Sequence, residues 1–361
     1  PELRDFYEAF VEFTVIDQQT GKTLYQSGFI KPDGFLDTST HTYQTFLVMA
    51  DGTFNDKHEI WKTKAIAHNN QLNSGRSDMA RYEFQIPVGI EINNAIKMKA
   101  RVRYRRFTRV FSNYVLGKSV DYPIVDMAST EQILRIGENL PVSPDLKSSN
   151  PDWRRWNNYG IALLDQRQYA LAADAFKQTA ELDTGYRPMA IVNRAMALIE
   201  LEDYDTAYSL LDQVLSANPD NYRALFQRSR ILIRRGQLDT AEADLKRLLA
   251  AYPRDRMAWQ QYGELYKIKR DFALAQNCFE EILKIDPEDT GAHYNLMLIY
   301  RKLGRLEDAK REARIFADLK DDPAAFPVAS EFLKQHPEIG NQSLFWRVYR
   351  LNRLGPIAKV E

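Results

Sequence analysis

Three histidines in the first half of the chain, His41, His58 and His68, are the side chains there that could bind a metal ion. Metal sites built on histidine usually place two ligands a few residues apart in the chain. None of the three pairs has such a spacing. We therefore expect hydrogen-bonded or surface histidines in this region, and no metal site.

Arginines form two further patterns that could bind a partner. Arg101, Arg103 and Arg105 alternate along a predicted strand and so share one face of it. Such a stripe could dock a carboxylate-rich partner or a glycan, but we favour a solvated face balanced by neighbouring Asp and Glu. Arg230 and Arg234 lie one helical turn apart, where paired guanidinium groups could hold a carboxylate. Simple solvation of that surface is the open alternative.

Cys278 is the only cysteine of the chain. A single cysteine excludes an internal disulfide and a Cys-x-x-Cys-His haem attachment in these residues. We predict a small buried thiol on a helix. The sequence has no Ser-His-Asp order, Gly-rich phosphate loop or His-Glu-x-x-His helix. We therefore expect a non-enzymatic protein with no catalytic residues and no cofactor.

A period of 34 residues organises the second half and gives the elements that must position these side chains. Four alanines keep this spacing: Ala207, Ala241, Ala275 and Ala309. Three prolines keep it as well: Pro219, Pro253 and Pro287. A fixed period of this length with helical hydrophobic patterning predicts stacked helix-turn-helix units.

The pattern within one unit resembles the tetratricopeptide repeat (TPR). Its signature positions are occupied by Trp259, Tyr262, Gly263, Tyr266, Ala275, Phe279 and Pro287. We expect Gly263 and Ala275 to let two helices approach closely, with Trp259 and Phe279 filling the space around them. Five units are predicted over 151–322, with one residue inserted near Gly185. His293 and Met297 mark a degenerate last unit.

The first half has the patterning of a β domain. Residues 6–16 alternate between apolar and polar, and turn residues separate five further strand candidates up to residue 107. We predict a two-domain chain, an antiparallel β-sandwich (1–130) followed by an all-α TPR solenoid. A linker (131–150) joins them, and a C-terminal helix and tail (323–361) cap the end of the solenoid.

Composition limits the partners. Lys plus Arg equals Asp plus Glu at 49 each in 361 residues, so no net charge attracts nucleic acid or an anionic bilayer. No run approaches the roughly 18 apolar residues of a membrane span. We expect neither nucleic-acid binding nor a transmembrane segment.

Several runs in the β domain resemble a family of exported bacterial proteins, the multihaem c-type cytochromes that carry TPRs. The runs are 58–64, 74–78, 82–84, 100–107 and 123–128. In that family a β domain lies between a haem region and the repeats. The haem-attachment cysteines are absent here, so the resemblance implies an extracytoplasmic β domain joined to a TPR solenoid, without electron transfer.

The first hypothesis for function is assembly. Family members carry sandwich sequence before the strand at 6–16, and this chain begins at Pro1, so we expect an unpaired edge and an exported, extracellular or periplasmic protein. Strand exchange with other copies and contacts between TPR ends would then build a filament. The predicted assembly strand presents Phe6, Tyr7, Phe10, Val11 and Phe13.

The alternative is a soluble periplasmic adaptor, or the haem-free part of a multihaem cytochrome, whose solenoid binds a peptide or a redox partner. The first helices line the concave side of a TPR stack. The residues predicted on that face are Asn157, Val192, Phe226, Arg230, Arg234, Gln260, Glu264, Lys267, Tyr294 and Arg301. Asn341 begins an Asn-x-Ser sequence and is a candidate for glycosylation.

Overall fold

The computed structural model describes residues 7–86, 95–135, 152–352 and 354. The chain forms two compact units. The N-terminal unit contains Pro1–Pro151 together with Asp322–Glu361, and the helical unit contains Asp152–Asp321.

The N-terminal unit is rich in β-strands. Its strands before the helical unit are β1 (Glu8–Asp17), β2 (Thr23–Ser27), β3 (His41–Thr42), β4 (Thr45–Met49), β5 (Thr63–Asn69), β6 (Arg81–Glu83), β7 (Ala95–Arg105) and β8 (Ile124–Arg135). One short helix, α1 (Arg109–Leu116), follows β7. The main antiparallel sheet has the order β2–β1–β7–β8, and β3 also pairs with β1.

The alternation predicted for residues 6–16 is that of β1, but this strand lies inside the sheet. One edge of β1 pairs with β7 over the full length of β1. The other edge of β1 pairs with β2 and β3. Phe10 is fully buried, and Val11 is 9% exposed. Phe13 stacks on Tyr82 with ring centroids 4.3 Å apart, and Tyr7 lies near Tyr104. The structure therefore corrects the prediction that this strand is free for exchange; Phe6 lies outside the described residues.

The predicted sandwich is not confirmed. Besides the main sheet, the described residues form two small sheets of two strands each. In one, β4 and β5 are antiparallel; in the other, β6 is parallel to β9 (Val348–Arg350). β8 also crosses the predicted boundary between domain and linker, because it runs to Arg135.

The C-terminal segment belongs to the N-terminal unit, which corrects the prediction that it caps the solenoid. Helix α12 (Ala325–Gln335) packs against β4 and β5, and α13 (Pro337–Gln342) follows it. Phe332 is buried at a ring distance of 5.8 Å from Phe54. The segment packs here because its apolar side chains complete the core of the small sheets.

The helical unit consists of ten consecutive helices, which agrees with the predicted repeats. They are α2 (Trp153–Asp165), α3 (Tyr169–Leu182), α4 (Arg187–Glu200), α5 (Tyr204–Ala217), α6 (Tyr222–Arg234), α7 (Leu238–Ala251), α8 (Arg256–Lys269), α9 (Phe272–Ile285), α10 (Thr290–Lys302) and α11 (Leu306–Leu319). Short turns join them into five pairs. The repeated alanines, from Ala207 to Ala309, are all buried in this stack.

Close helix packing explains the glycine of the repeat. A Cβ atom on Gly263 would lie 2.6 Å from the Phe279 ring, and Gly160 has the same relation to Phe176. Both phenylalanines are fully buried. The predicted approach of two helices around Gly263 and Phe279 is therefore confirmed.

In the last unit, His293 replaces the tryptophan of the repeat signature but keeps its hydrogen bond. In the fourth unit, Trp259 Nε1 donates to the Pro253 carbonyl oxygen at 2.9 Å. His293 stands 34 residues later, and its Nε2 lies 2.9 Å from the Pro287 carbonyl oxygen. The buried histidine also contacts Glu312 through Nδ1 at 2.7 Å. A change that looks degenerate in sequence thus preserves the same hydrogen bond.

Candidate protein-binding groove

The helical unit has an apolar groove that runs across the first helices of the second, third and fourth repeats. We call it the methionine groove, and its volume is about 510 Å³. It is lined by Met189, Met196, Asn218, Asp220, Asn221, Tyr222, Arg223, Phe226, Gln227, Leu248, Tyr252, Asp255 and Met257. Its position follows from the stacking of α4, α6 and α8, which each contribute side chains from one face.

Helix caps and ring contacts hold the walls of the methionine groove. Asn221 caps α6 by accepting a hydrogen bond from the Ala224 N–H at 3.0 Å, and Asp255 caps α8 through the Ala258 N–H at 3.0 Å. These bonds satisfy backbone donors that a helix start leaves unpaired. The Tyr222 and Tyr252 rings meet edge to face with centroids 5.1 Å apart. The groove is therefore built on fixed helix ends.

The floor of the groove suits apolar side chains of a partner. Met189, Met196, Phe226 and Met257 bring apolar surface to it, and Met257 is 61% exposed. Methionine is unbranched and polarisable, so it adapts to the shape of what it contacts. Arg223 is the one cation of the lining; its guanidinium donates to Asn193 Oδ1 at 3.1 Å.

A second, smaller groove of about 380 Å³ lies between the fourth and fifth repeats. Phe272, Leu298 and Ile299 supply its apolar wall, while Lys267, Arg301 and Lys302 supply positive charge. Lys267 Nζ already donates to Asn295 Oδ1 at 2.6 Å and to Glu264 at 2.9 Å. This groove combines a cationic rim with an apolar wall.

Three of the residues predicted on the concave binding face line one of the two grooves. Phe226 lines the methionine groove, and Lys267 and Arg301 line the second groove. Asn157 is buried and accepts from Asn193, and Val192 is fully buried in the core. The remaining positions on the first helices include three exposed residues, Arg234, Gln260 and Tyr294, and the Tyr294 ring contacts Phe316.

The predicted arginine pair is not preorganised for a carboxylate. Arg230 donates to Gln227 Oε1 and to Glu200 Oε1, both at 2.9 Å. A partner carboxylate would therefore compete with Glu200 for this guanidinium. Arg234 is exposed on the same helix.

Three methionines and an arginine of the groove were not among the predicted residues, although the sequence contains a signal for them. Met189, Arg223 and Met257 each stand three residues before a predicted position, and Met196 stands four after Val192. Residues at these spacings share one face of a helix. Extending each predicted position by one turn would have included them.

In the N-terminal unit, His41 belongs to a buried polar cluster, while His58 and His68 contact aromatic rings. His41 Nε2 lies 2.8 Å from Asp78 Oδ2, and its Nδ1 lies 2.6 Å from the Tyr349 hydroxyl. Arg347 forms an ion pair with Asp78 on the far side. His41 has no exposed surface, and this cluster joins the C-terminal segment to the sheets.

The other two histidines lie apart from that cluster's hydrogen bonds. His68 lies parallel to the Phe46 ring, and His58 meets Phe111 edge to face. In the part of the chain that the structure describes, no group of three His, Cys, Asp or Glu side chains could hold a metal ion. No described helix is long and apolar enough to cross a bilayer.

The arginine stripe is balanced by neighbouring Asp and Glu, as the favoured interpretation expected, but the face is not solvated throughout, because Glu8, Glu12 and Arg105 are buried. Arg101 and Arg103 both contact Glu12 of β1 and Asp126 of β8, and Arg105 pairs with Glu8. These cross-strand pairs balance the charge of the stripe.

Cys278 is a buried thiol, as predicted, and burial raises its pKa to about 12. Asn341, the candidate for glycosylation, lies in α13 and donates through Nδ2 to the Val348 carbonyl oxygen at 3.2 Å. That nitrogen is the atom that would carry a glycan, so attachment would leave it a single N–H for this bond.

Family models support the assignment of TPRs to the helical unit. Two family models of the tetratricopeptide repeat match residues 198–262 and 258–289. ER membrane protein complex subunit 2 of Xenopus tropicalis is 25% identical over 191 residues, which are 52% of this chain and 63% of that protein. Superkiller complex protein 3 of Mus musculus is 29% identical over 127 residues, 34% of this chain and 8% of that protein. The chain thus spans less than two thirds of these relatives.

Solved structures of other proteins also resemble part of this chain. MamA of Desulfovibrio magneticus RS-1 has 23% identity and a TM-score of 0.39, covering 46% of this chain and 92% of that one. YrrB, described as a TPR protein with an unusual peptide-binding site, has 20% identity and a TM-score of 0.39, covering 51% and 92%. The matches give no support to the cytochrome resemblance. The chain carries a TPR scaffold of the kind that mediates protein interactions.

Proposed function

We propose that this protein is a non-enzymatic adaptor that binds an extended segment of a partner in the methionine groove. The observation that carries the proposal is the apolar lining formed by Met189, Met196, Phe226 and Met257 on a helical scaffold. A volume of about 510 Å³ is within the range of specific binding pockets. Burial of partner side chains there provides the affinity, and Arg223 provides a donor for orientation.

The test uses the full chain and a random peptide library displayed on phage. We expect selected peptides to carry large apolar side chains and to bind with micromolar affinity. Met257→Glu places a charge on the groove floor and is expected to weaken binding at least tenfold. Gln213→Glu, on the second helix of the second repeat and outside the groove, is the matched control.

Two results would contradict the adaptor proposal. One is a selection that enriches no peptide. The other is a set of peptides that bind Met257→Glu as tightly as the unchanged protein, since those peptides would use another surface. Circular dichroism of both variants shows whether the helices remain intact.

A second proposal is self-assembly into an extracellular filament. The interior position of β1 rules that strand out as the exchanged element among the described residues. The observation that favours assembly is instead the exposed outer strand β8 of the main sheet. Export of the chain is proposed from the sequence resemblance alone, and fractionation of the source cells tests it.

A further inference from the structure

The methionine groove contains three of the eight methionines of the chain. Met189 and Met196 belong to α4, and Met257 belongs to α8. Met257 is 61% exposed, and the other two are half-buried in the lining of the groove. A thioether that solvent reaches is open to oxidation. The groove therefore presents oxidisable sulfur on the same surface that would contact a partner.

Oxidation by a peroxide changes the chemistry of such a surface. Hydrogen peroxide transfers one oxygen atom to the thioether sulfur: an S–O bond forms, and the O–O bond of the peroxide breaks. The proton of the transferred hydroxyl passes to the departing oxygen, which leaves as water. The sulfur loses two electrons, and the peroxide gains them. The product is a polar, chiral sulfoxide in place of a flexible apolar side chain.

Arg223 is placed to hold the oxidised form of one of these side chains. Its Nη2 lies 4.0 Å from Met196 Sδ and also donates to Asn193 Oδ1 at 3.1 Å. A thioether sulfur is a weak acceptor, so the contact with the reduced side chain adds little. A sulfoxide oxygen is a much better acceptor, and rotation of the unbranched Met196 side chain directs it toward the guanidinium. The groove thus contains a donor for the added oxygen.

We propose that the methionine groove is a peroxide-sensitive site, in which sulfoxide formation at Met196 and Met257 weakens the binding of apolar partners. This inference rests on the proposed function, because it adds regulation to the same groove. An apolar partner would bury the Met257 sulfoxide oxygen without a hydrogen bond, which is unfavourable. Arg223 would bind the Met196 sulfoxide and would no longer orient the partner. Methionine sulfoxide reductases make the change reversible.

The first measurement needs no partner. Hydrogen peroxide is added to the full chain, and mass spectrometry of its peptides follows each methionine. Met127 of β8 is 64% exposed and reports the oxidation of an exposed methionine outside the groove. Met297 of α10 is buried and reports an intact fold. We expect Met257 to be oxidised at about the rate of Met127, and Met196 to be oxidised before Met297 reacts.

The second measurement uses an apolar peptide selected on the untreated chain. Its dissociation constant is measured before and after a peroxide dose that leaves Met297 reduced. We expect the affinity to fall at least tenfold, and sulfoxide reductases with a thiol reductant to restore it. A variant with Met189→Leu, Met196→Leu and Met257→Leu has no oxidisable sulfur in the groove, so the same treatment should change its own affinity less than twofold. Met127→Leu is the matched control and should show the full loss.

The failure of this inference can be distinguished from the failure of the adaptor proposal. A chain that binds no apolar peptide before treatment contradicts the adaptor proposal, and the inference fails with it. When the untreated chain binds, the inference is overturned if Met196 and Met257 stay reduced after Met127 is fully oxidised. It is also overturned if both are oxidised and the affinity does not change, or if the leucine variant loses as much affinity as the unchanged chain.

Discussion

At the level of single residues, the most informative group is the buried cluster around His41. A neutral imidazole satisfies both of its contacts: Nε2–H donates to Asp78, and the Tyr349 hydroxyl donates to Nδ1. Burial lowers the pKa of His41, although Asp78 opposes this effect. Burial alone would raise the pKa of Asp78, but the hydrogen bond from His41 and the charge of Arg347 lower it. The cluster is thus stable with His41 neutral and Asp78 ionised.

His68 makes the stability of the N-terminal unit dependent on pH. Burial, and then the charge of Arg347, lower its pKa to about 4, against about 6.5 for an unperturbed histidine. Between these values the unfolded chain takes up a proton that the folded chain does not, so stability falls as pH falls from 6.5 to 4. We expect His68 to cost about 2 kcal/mol of stability between pH 7 and pH 4.5.

The measurement is hydrogen exchange of the β4 and β5 amides in the unchanged chain and in His68→Phe. Phenylalanine retains an aromatic ring beside Phe46 and cannot take up the proton, so the variant should lose less protection on acidification. His336→Gln removes a half-buried histidine whose ring lies 4.3 Å from that of Phe332, and it should keep the original dependence. Equal pH dependence in all three proteins would show that His68 is not the titrating group.

At the level of elements, the turns inside the repeats share a left-handed residue. Five equivalent positions have positive φ: Arg167, Glu202, Gly236, Arg270 and Gly304. This conformation costs a residue with a Cβ atom roughly 1–2 kcal/mol, while glycine adopts it without strain. Two repeats therefore have the favourable residue, and three carry local strain.

Arg270→Gly should stabilise the helical unit. Arg270 is exposed, with φ 59°, and its backbone N–H closes the end of α8. Removal of the Cβ strain outweighs the greater entropy of glycine in the unfolded chain, for a net gain of about 0.5–1 kcal/mol. Urea unfolding followed by circular dichroism at 222 nm measures the change.

Gly304→Ala is the reverse experiment at the equivalent turn. It has no atom within 4 Å of an added Cβ, so only the backbone conformation is perturbed. We expect a loss of about 1 kcal/mol. If Arg270→Gly proves destabilising while Gly304→Ala is neutral, turn strain does not govern these positions.

At the level of the whole molecule, the chain returns to its first unit after completing the repeats. α12 packs on β4 and β5, β9 extends the small sheet of β6, and Leu351 joins the core formed by Val15, Leu24 and Ile96. The N-terminal unit is therefore made of two segments far apart in sequence.

Truncation tests this division. The chain without residues 322–361 should lose the stability of its N-terminal unit, because Phe332 and Tyr349 leave gaps in its cores. A fragment of residues 152–321 should still fold as a cooperative helical protein, since its core is supplied by its own repeats. Exchange protection of β4 and β5 in the truncated chain is the readout.

The opposite pattern would contradict the two-unit description. If residues 1–321 retain full protection in β4 and β5, the C-terminal segment does not complete that core. The isolated fragment 152–321 is the control for the helical unit. If this fragment and the N-terminal unit of residues 1–321 both unfold, neither unit is independent.

The sequence determined the helical unit because its information is local and repeated. The 34-residue period, the small residue at Gly263 and the proline after three of the second helices specify a packing that recurs between neighbours. The pairing of Arg101 and Arg103 with neighbouring carboxylates could also be inferred, since alternation fixes which side chains share a face.

Only the tertiary structure decided which strands pair and where the C-terminal segment lies. β1 has the alternation expected of an edge or an interior strand, and its partners β3 and β7 are far away in sequence. β8 was missed because its side chains are exposed on both faces and give little alternation. The joining of Asp78 to His41 and Arg347 spans most of the chain, and such long-range contacts leave no periodic signal.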